Sequence, residues 1–206
     1  VMIPYGVDVP LTYPEREFSS RVKVLYVGRG TEEKRVHLVG RIASELIRRA
    51  VSAEISLVGD VWHSIACKDR IYCNFIGEIH DRQKLTTLYR IADVLLITSR
   101  TEGLCLVNIE AMAQGTVPVA VAVGGIPDHI EDGVTGFLVD PLLSDDEIVF
   151  KFCGIIEKLA SDRRELGKIS FNTYSFAAAH FNRAATLDYF TRMFDCDPAR
   201  AGRTLC

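Results

Sequence analysis

The stretch TSRTEGLCLVNIEAMAQG, residues 98–115, decides how this chain is expected to fold. It follows an apolar run at 94–97 and holds two glutamates, Glu102 and Glu110, with seven residues between them. The second glutamate lies in a good helix-forming run, 107–114. Strand, polar loop, helix is therefore the predicted order. In a doubly wound parallel sheet such a loop opens at the carboxyl edge of the strands, where ligands bind, and free amides at the start of the helix favour an anion. Two acids do not suit a phosphate alone. They suit a ligand that places hydroxyl groups on either side of a phosphate, because an ionised carboxylate only accepts hydrogen bonds.

Outward from this stretch, short β-branched runs alternate with helical patterns from Arg21 onward, which predicts an α/β fold, a parallel sheet wrapped by helices. Strands are expected at 22–27, 54–58, 72–76, 93–98, 117–122 and 136–139. After the first, Val36, Val39, Ile42, Ala43, Leu46 and Ile47 recur at helical spacing, and Asp81 is placed to cap a helix carrying Leu85, Leu88 and Ile91. Gly124-Gly125-Ile126-Pro127 reads as a turn. A short helix to Glu131 follows it, and His129 is expected on that helix's surface. From Asp145 the pattern is helical, with Ile148, Phe152, Ile155, Ile156 and Leu159 on one face, and a further helix starts near Arg163. A last helix, 182–194, is apolar around more than half its girth and needs more than one neighbour to cover it.

Three segments are expected: a linker over 1–20, one doubly wound domain with extra C-terminal helices over 21–195, and a loose tail over 196–206. The linker has nothing in front of it to link, which suggests a fragment. At 206 residues, 48% hydrophobic and net charge −3, the chain reads as an ordinary globular protein, rather than a disordered or nucleic-acid-coating one. No apolar run approaches the roughly 18 residues of a membrane span. The six cysteines, Cys67, Cys73, Cys105, Cys153, Cys196 and Cys206, include no Cys-x-x-Cys pair. No secretory leader precedes them, which favours reduced thiols and a cytoplasmic setting.

Gly28-Arg29-Gly30 follows the first expected strand but lacks the third glycine of a dinucleotide fingerprint, since position 33 is Glu. The loop does offer two cations, Arg29 and Lys34, where such a sheet holds phosphate. Each alone reads more readily as a solvated surface cation, as most Arg and Lys residues are. If the first and fourth strands are neighbours, these cations face the amides of Gly103 and Leu104 across a phosphate-sized gap. Ser99 and Asp93 have no histidine at hydrolase spacing, and His63, Cys67 and Cys73 match no metal pattern.

Several segments together resemble the C-terminal, donor-binding half of a GT-B glycosyltransferase of the large retaining group 1 family, which carries a Glu-x7-Glu motif. They are IPYGVD at 3–8, VGR with a lysine five residues past the arginine, FIG at 75–77, EGL-x5-EAMAQG-x-PV from 102, and GGIPDHIEDGVTGFLV ending at 139. The resemblance implies a Rossmann-like domain that binds a nucleoside diphosphate sugar. It implies that Arg29 and Lys34 hold the diphosphate, beside Gly28, and that Glu102 faces the donor sugar. The amides of Gly103, Leu104 and Cys105 would meet the distal phosphate and sugar, Glu110 the ribose hydroxyls, and Phe75, Ile76 and Gly77 the base.

The implied reaction transfers the sugar with retention, Arg29, Lys34 and Glu102 carrying the chemistry, with no metal and no further cofactor. An absent N-terminal half would bind the acceptor, make any peripheral contact at the inner membrane face, and receive the helix over 182–194. Without it, the fragment is expected to bind nucleotide and to be inactive. Asp128, where the family often has Glu, and Leu104, in place of a frequent Phe, are mild departures. A nucleotide-binding module without transferase activity, or an epimerase or phosphorylase of the same fold, is the alternative reading.

Overall fold

A computed structural model describes residues 6–183 together with 186 and 187. Among these residues six strands form one sheet: β1 (Val22–Val27), β2 (Ala53–Val58), β3 (Cys73–Gly77), β4 (Val94–Ile97), β5 (Val117–Val121) and β6 (Phe137–Val139). Their order is β3-β2-β1-β4-β5-β6, and every neighbouring pair runs parallel. This is the doubly wound order, in which the winding reverses between β1 and β4. The α/β expectation holds, and each expected strand lies within a residue or so of an observed one.

The helices are α1 (Val36–Arg48), α2 (Cys67–Arg70), α3 (Arg82–Ile91), α4 (Leu106–Met112), α5 (Asp145–Ser161) and α6 (Arg163–His180). Alternation along β1 splits the core. Val22, Val24 and Tyr26 join α1, α5 and the start of α6 on one face, while Leu25 joins Leu95, Ala120, Tyr89 of α3 and Ala111 of α4 on the other. Asp81 caps α3 through the amides of Gln83 and Lys84. Ser144 and Glu147 form a reciprocal capping box that fixes where α5 begins.

Residues 6–20 lie against α4 and α6. Val7 is buried with Ile109 and Met112, and the Tyr13 hydroxyl lies 2.8 Å from Ser170 Oγ. Among the described residues no helix is long and apolar enough to cross a membrane. The expected last helix, 182–194, lies mostly, and the tail, 196–206, wholly, outside the described residues.

Two sequence expectations need correction. His129 is buried rather than on a helix surface, its ring packed edge-on against Phe181 at a centroid distance of 5.1 Å. That partner is remote in sequence and leaves no local trace. Ile47 and Ile91, assigned to apolar helix faces, are both half-exposed near the ends of their helices.

Candidate functional site

Each loop at the switch point is built from a strand end and a left-handed residue. After β1 the chain passes Gly28 and a single 3-10 turn, Glu32–Lys34, then enters α1 through Arg35 at φ 46°. After β4 it passes Thr98–Leu104 and enters α4 through Cys105 at φ 54°. Neither residue is glycine, and the left-handed region costs an L-residue roughly 1–2 kcal/mol. The surrounding contacts therefore hold both turns.

Between the loops lies a cavity of about 170 Å³ whose lining includes Gly28, Arg29, Lys34, Ser99, Glu102 and Tyr26. Lys34 Nζ donates to Glu102 Oε1 at 2.7 Å, and Ser99 Oγ donates to the same oxygen at 2.6 Å. The Glu102 side chain is 8% exposed and that of Lys34 22%, so the pair is only weakly screened by solvent. Arg29 stays in solvent, with Glu33 as its nearest acid at 3.9 Å. Among the lining residues two cations stand against one carboxylate, which suits an anion, while Glu33 balances Arg29 from outside the lining. The amides of Gly103, Leu104 and Cys105 donate to no other group among the described residues.

The Gly124-Gly125 turn presses on the same loop from β5. Gly124 has φ 58°, and a Cβ there would stand 1.7 Å from the Glu102 carbonyl oxygen. Gly125 N donates to Gly103 O at 3.0 Å. The two glycines thus let the backbones touch and fix the height of Glu102 above the sheet. The Cys105 thiol is pushed up to about 12, first by burial and then by the neighbouring Glu102 carboxylate, which makes it a packing group and a poor nucleophile.

Glu110 opens elsewhere. It lines a larger cavity, about 500 Å³, between α3 and α4, together with Arg82, Gln83, Tyr89 and Gln114. Val107, on the edge of the smaller cavity, lies three residues earlier on the same face of α4, so the two cavities follow one another along that helix. The Tyr89 hydroxyl donates to Glu110 Oε2 at 3.3 Å, and Arg82 stands 3.9 Å from Oε1. Burial raises the Glu110 pKa, while Tyr89 and Arg82 pull it back.

The expected site residues are therefore only partly gathered. Gly28, Arg29, Lys34 and Glu102 share one cavity, and Gly103, Leu104 and Cys105 adjoin it in the Glu102 loop. Glu110 has the neighbouring cavity. Phe75, Ile76 and Gly77 lie at the end of β3, two strands from β1, and line neither cavity; the Phe75 ring packs on Trp62 at 4.7 Å. Sequence reasoning missed Tyr89 and Arg35. Only the spacing of Tyr89 on α3, four residues after Leu85, hinted that it faces inward. Among the described residues no three His, Cys, Asp or Glu side chains are gathered as for a metal ion.

Residues 14–172 match the family described as Glycosyl transferases group 1. The chain is 31% identical over 154 residues to the D-inositol 3-phosphate glycosyltransferase of Mycolicibacterium smegmatis, a match covering 66% of this chain and 35% of that relative. Among solved structures it is similar to sucrose-phosphate synthase from Thermosynechococcus elongatus, with TM-score 0.74 and 26% identity over 93% of this chain and 51% of that one. It also shares its fold with Anabaena Alr3699/HepE, solved in complex with UDP-glucose, at TM-score 0.70 and 21% identity, covering 84% and 48% of the two chains. The chain thus spans about a third of the curated relative and about half of each of these structures.

Proposed function

The chain belongs to the group 1 glycosyl transferases, and from that membership we propose that it is the donor-binding part of a retaining glycosyltransferase using a nucleoside diphosphate sugar. The observation that carries the proposal is the Lys34–Glu102 pair in a cavity of net positive lining at the β1–β4 switch point. In this reading Arg29 and Lys34 take the diphosphate, helped by the amides of Gly103, Leu104 and Cys105. Glu102 faces the sugar and Glu110 the ribose. A carboxylate at each place accepts from hydroxyl groups and repels a misplaced phosphate.

The chemistry follows from where charge develops. As the bond to the anomeric carbon breaks, the departing diphosphate gathers negative charge, and cations fixed beforehand stabilise that charge without reorganising. Arg29 and Lys34 are such cations. Because the protein supplies the neutralising charge, binding of a nucleoside diphosphate is expected to survive excess EDTA. The reading places the nucleoside along the α3–α4 cavity, whose size and Glu110 lining support a ribose there. Residues Phe75–Gly77 would then reach the base only if it extends beyond that cavity toward β3.

Calorimetry with UDP, GDP and ADP tests the proposal: at least one should bind, and no heat from any of them sinks it. Glu110→Ala should weaken a bound nucleotide more than it weakens inorganic pyrophosphate; equal losses remove the ribose role. The acceptor, and with it turnover, is assigned to protein outside this chain. A longer protein containing it should make an α-linked product from an α-linked donor, and an inverted product would overturn the retaining mechanism.

A further inference from the structure

We propose that Arg35 is a positioning residue of the anion site, buried beneath it, holding the loop that carries Lys34 against the loop that carries Ser99 and Glu102. The proposal rests on the donor-site reading for its functional meaning, though the geometry stands by itself. Arg35 is 5% exposed, so its guanidinium does not meet a ligand. Its Nε donates to Thr98 O at 2.8 Å, one of its terminal nitrogens donates to Ser99 O at 3.3 Å, and the other reaches Asp145 at 3.4 Å. A planar guanidinium fork spans two successive carbonyls in a way that a lysine ammonium does not.

The tie is reciprocal. Thr98 Oγ1 donates back to Lys34 O at 2.8 Å and to Arg35 O at 3.3 Å, and Arg100 N donates to Glu33 O at 2.7 Å. Backbone at 33–35 is thus stitched to residues 98–100 in both directions. The two groups that bond Glu102 Oε1 sit at the ends of this stitch: Lys34 adjoins Arg35, and Ser99 presents its carbonyl to it. Arg35 also occupies a left-handed turn at φ 46°, which glycine would adopt without strain. The strain of a side chain at this position is offset by its bonds to Thr98 and Ser99. Asp145, the first residue of α5, anchors the far side of the fork and is itself bonded to His37 at 3.2 Å.

The test uses Arg35→Gly, which keeps the turn and removes the whole side chain, together with Arg35→Lys, which keeps a stem and a charge without the fork, Lys34→Ala and the double variant Arg35→Gly/Lys34→Ala. Calorimetry with UDP and UMP is read for each. Arg35→Gly is expected to weaken UDP about tenfold, with UMP nearly unchanged, and Arg35→Lys is expected not to rescue. In the Lys34→Ala background Arg35→Gly should cause no further loss, the non-additivity of residues acting through one another. Fully additive losses, or equal weakening of UDP and UMP, overturn the proposal. If the parent chain binds no nucleoside diphosphate, the donor reading fails first. Positioning is then decided by a crystal structure of Arg35→Gly: a Lys34 displaced from Glu102 upholds it, and an intact pair refutes it.

Discussion

Asn108 is fully buried on α4, and neither its amide nitrogen nor its oxygen has a partner among the described residues. An orphaned buried amide costs about 1–3 kcal/mol in desolvation, and alanine is the better helix former. Asn108→Ala is therefore expected to stabilise the chain by about 1 kcal/mol, a rise of about 2–4 °C in melting temperature for a chain of this size. No rise would mean that buried water satisfies the amide. His129 is another residue with a buried unpartnered atom, Nδ1. Burial lowers its pKa, with Asp128 opposing, so the unfolded chain takes up the proton first as pH falls. Stability that depends on the neutral ring is intact above the ordinary histidine range and is lost as pH drops below it. Between about pH 7 and about pH 5 the parent should lose more stability than His129→Gln, and parallel melting profiles would contradict this. Lys34, Glu102 and the Gly124-Gly125 turn were legible in the sequence because their chemistry is written at the residue itself. His129 and Arg35 were not, since burial of each depends on a partner dozens of residues away.

At the level of elements, Arg16 joins two helix ends that carry the candidate site. Its guanidinium donates to Gln114 O, just past α4, at 2.7 Å, and to Ala92 O, at the end of α3. It also pairs with Asp93 at 3.8 Å, and both side chains are 3% exposed. A cation at the carboxyl ends of two helices satisfies carbonyls that have no intrahelical partner and complements both dipoles. Arg16→Ala leaves those carbonyls without this donor and the buried Asp93 charge with only the Lys23 amide and the field of Arg163 and Lys23 to offset it, which is expected to cost about 3–5 kcal/mol. Urea unfolding measures it, and the double variant Arg16→Met/Asp93→Asn should lose less because position 93 no longer holds a buried carboxylate deprived of Arg16. A loss below about 1 kcal/mol for Arg16→Ala would show that the segment before β1 does not brace α3 and α4. The sequence exposed the long elements through their periods: β1, α1 and α5 fall where alternation or helical spacing puts them. It hid α2, Cys67–Arg70, whose four residues are barely more than one turn and show no repeat.

Across the molecule, stability should be graded outward from the switch point. β4 and β5 are buried at every position. β3 is an edge strand, and next to it the face bearing Glu54, Ser56 and Asn74 is largely open: Glu54 and Asn74 are exposed and Ser56 only half-buried. Glu54 and Ser56 alternate with Ile55 and Leu57 along β2 and border the part of this face that α3 covers over Leu25, whereas parallel sheets are usually covered fully on both sides. Strands with few buried contacts open at lower free energy than the core. Hydrogen exchange should therefore reach β3 first and β4 and β5 last. Bound nucleotide adds a second gradient, because a ligand held at 100 times its dissociation constant stabilises the state that binds it by about 2.7 kcal/mol. If UDP lies against Lys34, Glu102 and Glu110, it should slow exchange over 28–35 and 98–110 while leaving β3 as labile as before. Protection spread evenly over the chain would report global stabilisation without a site, and protection centred on β3 would move the nucleoside out of the α3–α4 cavity toward Phe75–Gly77.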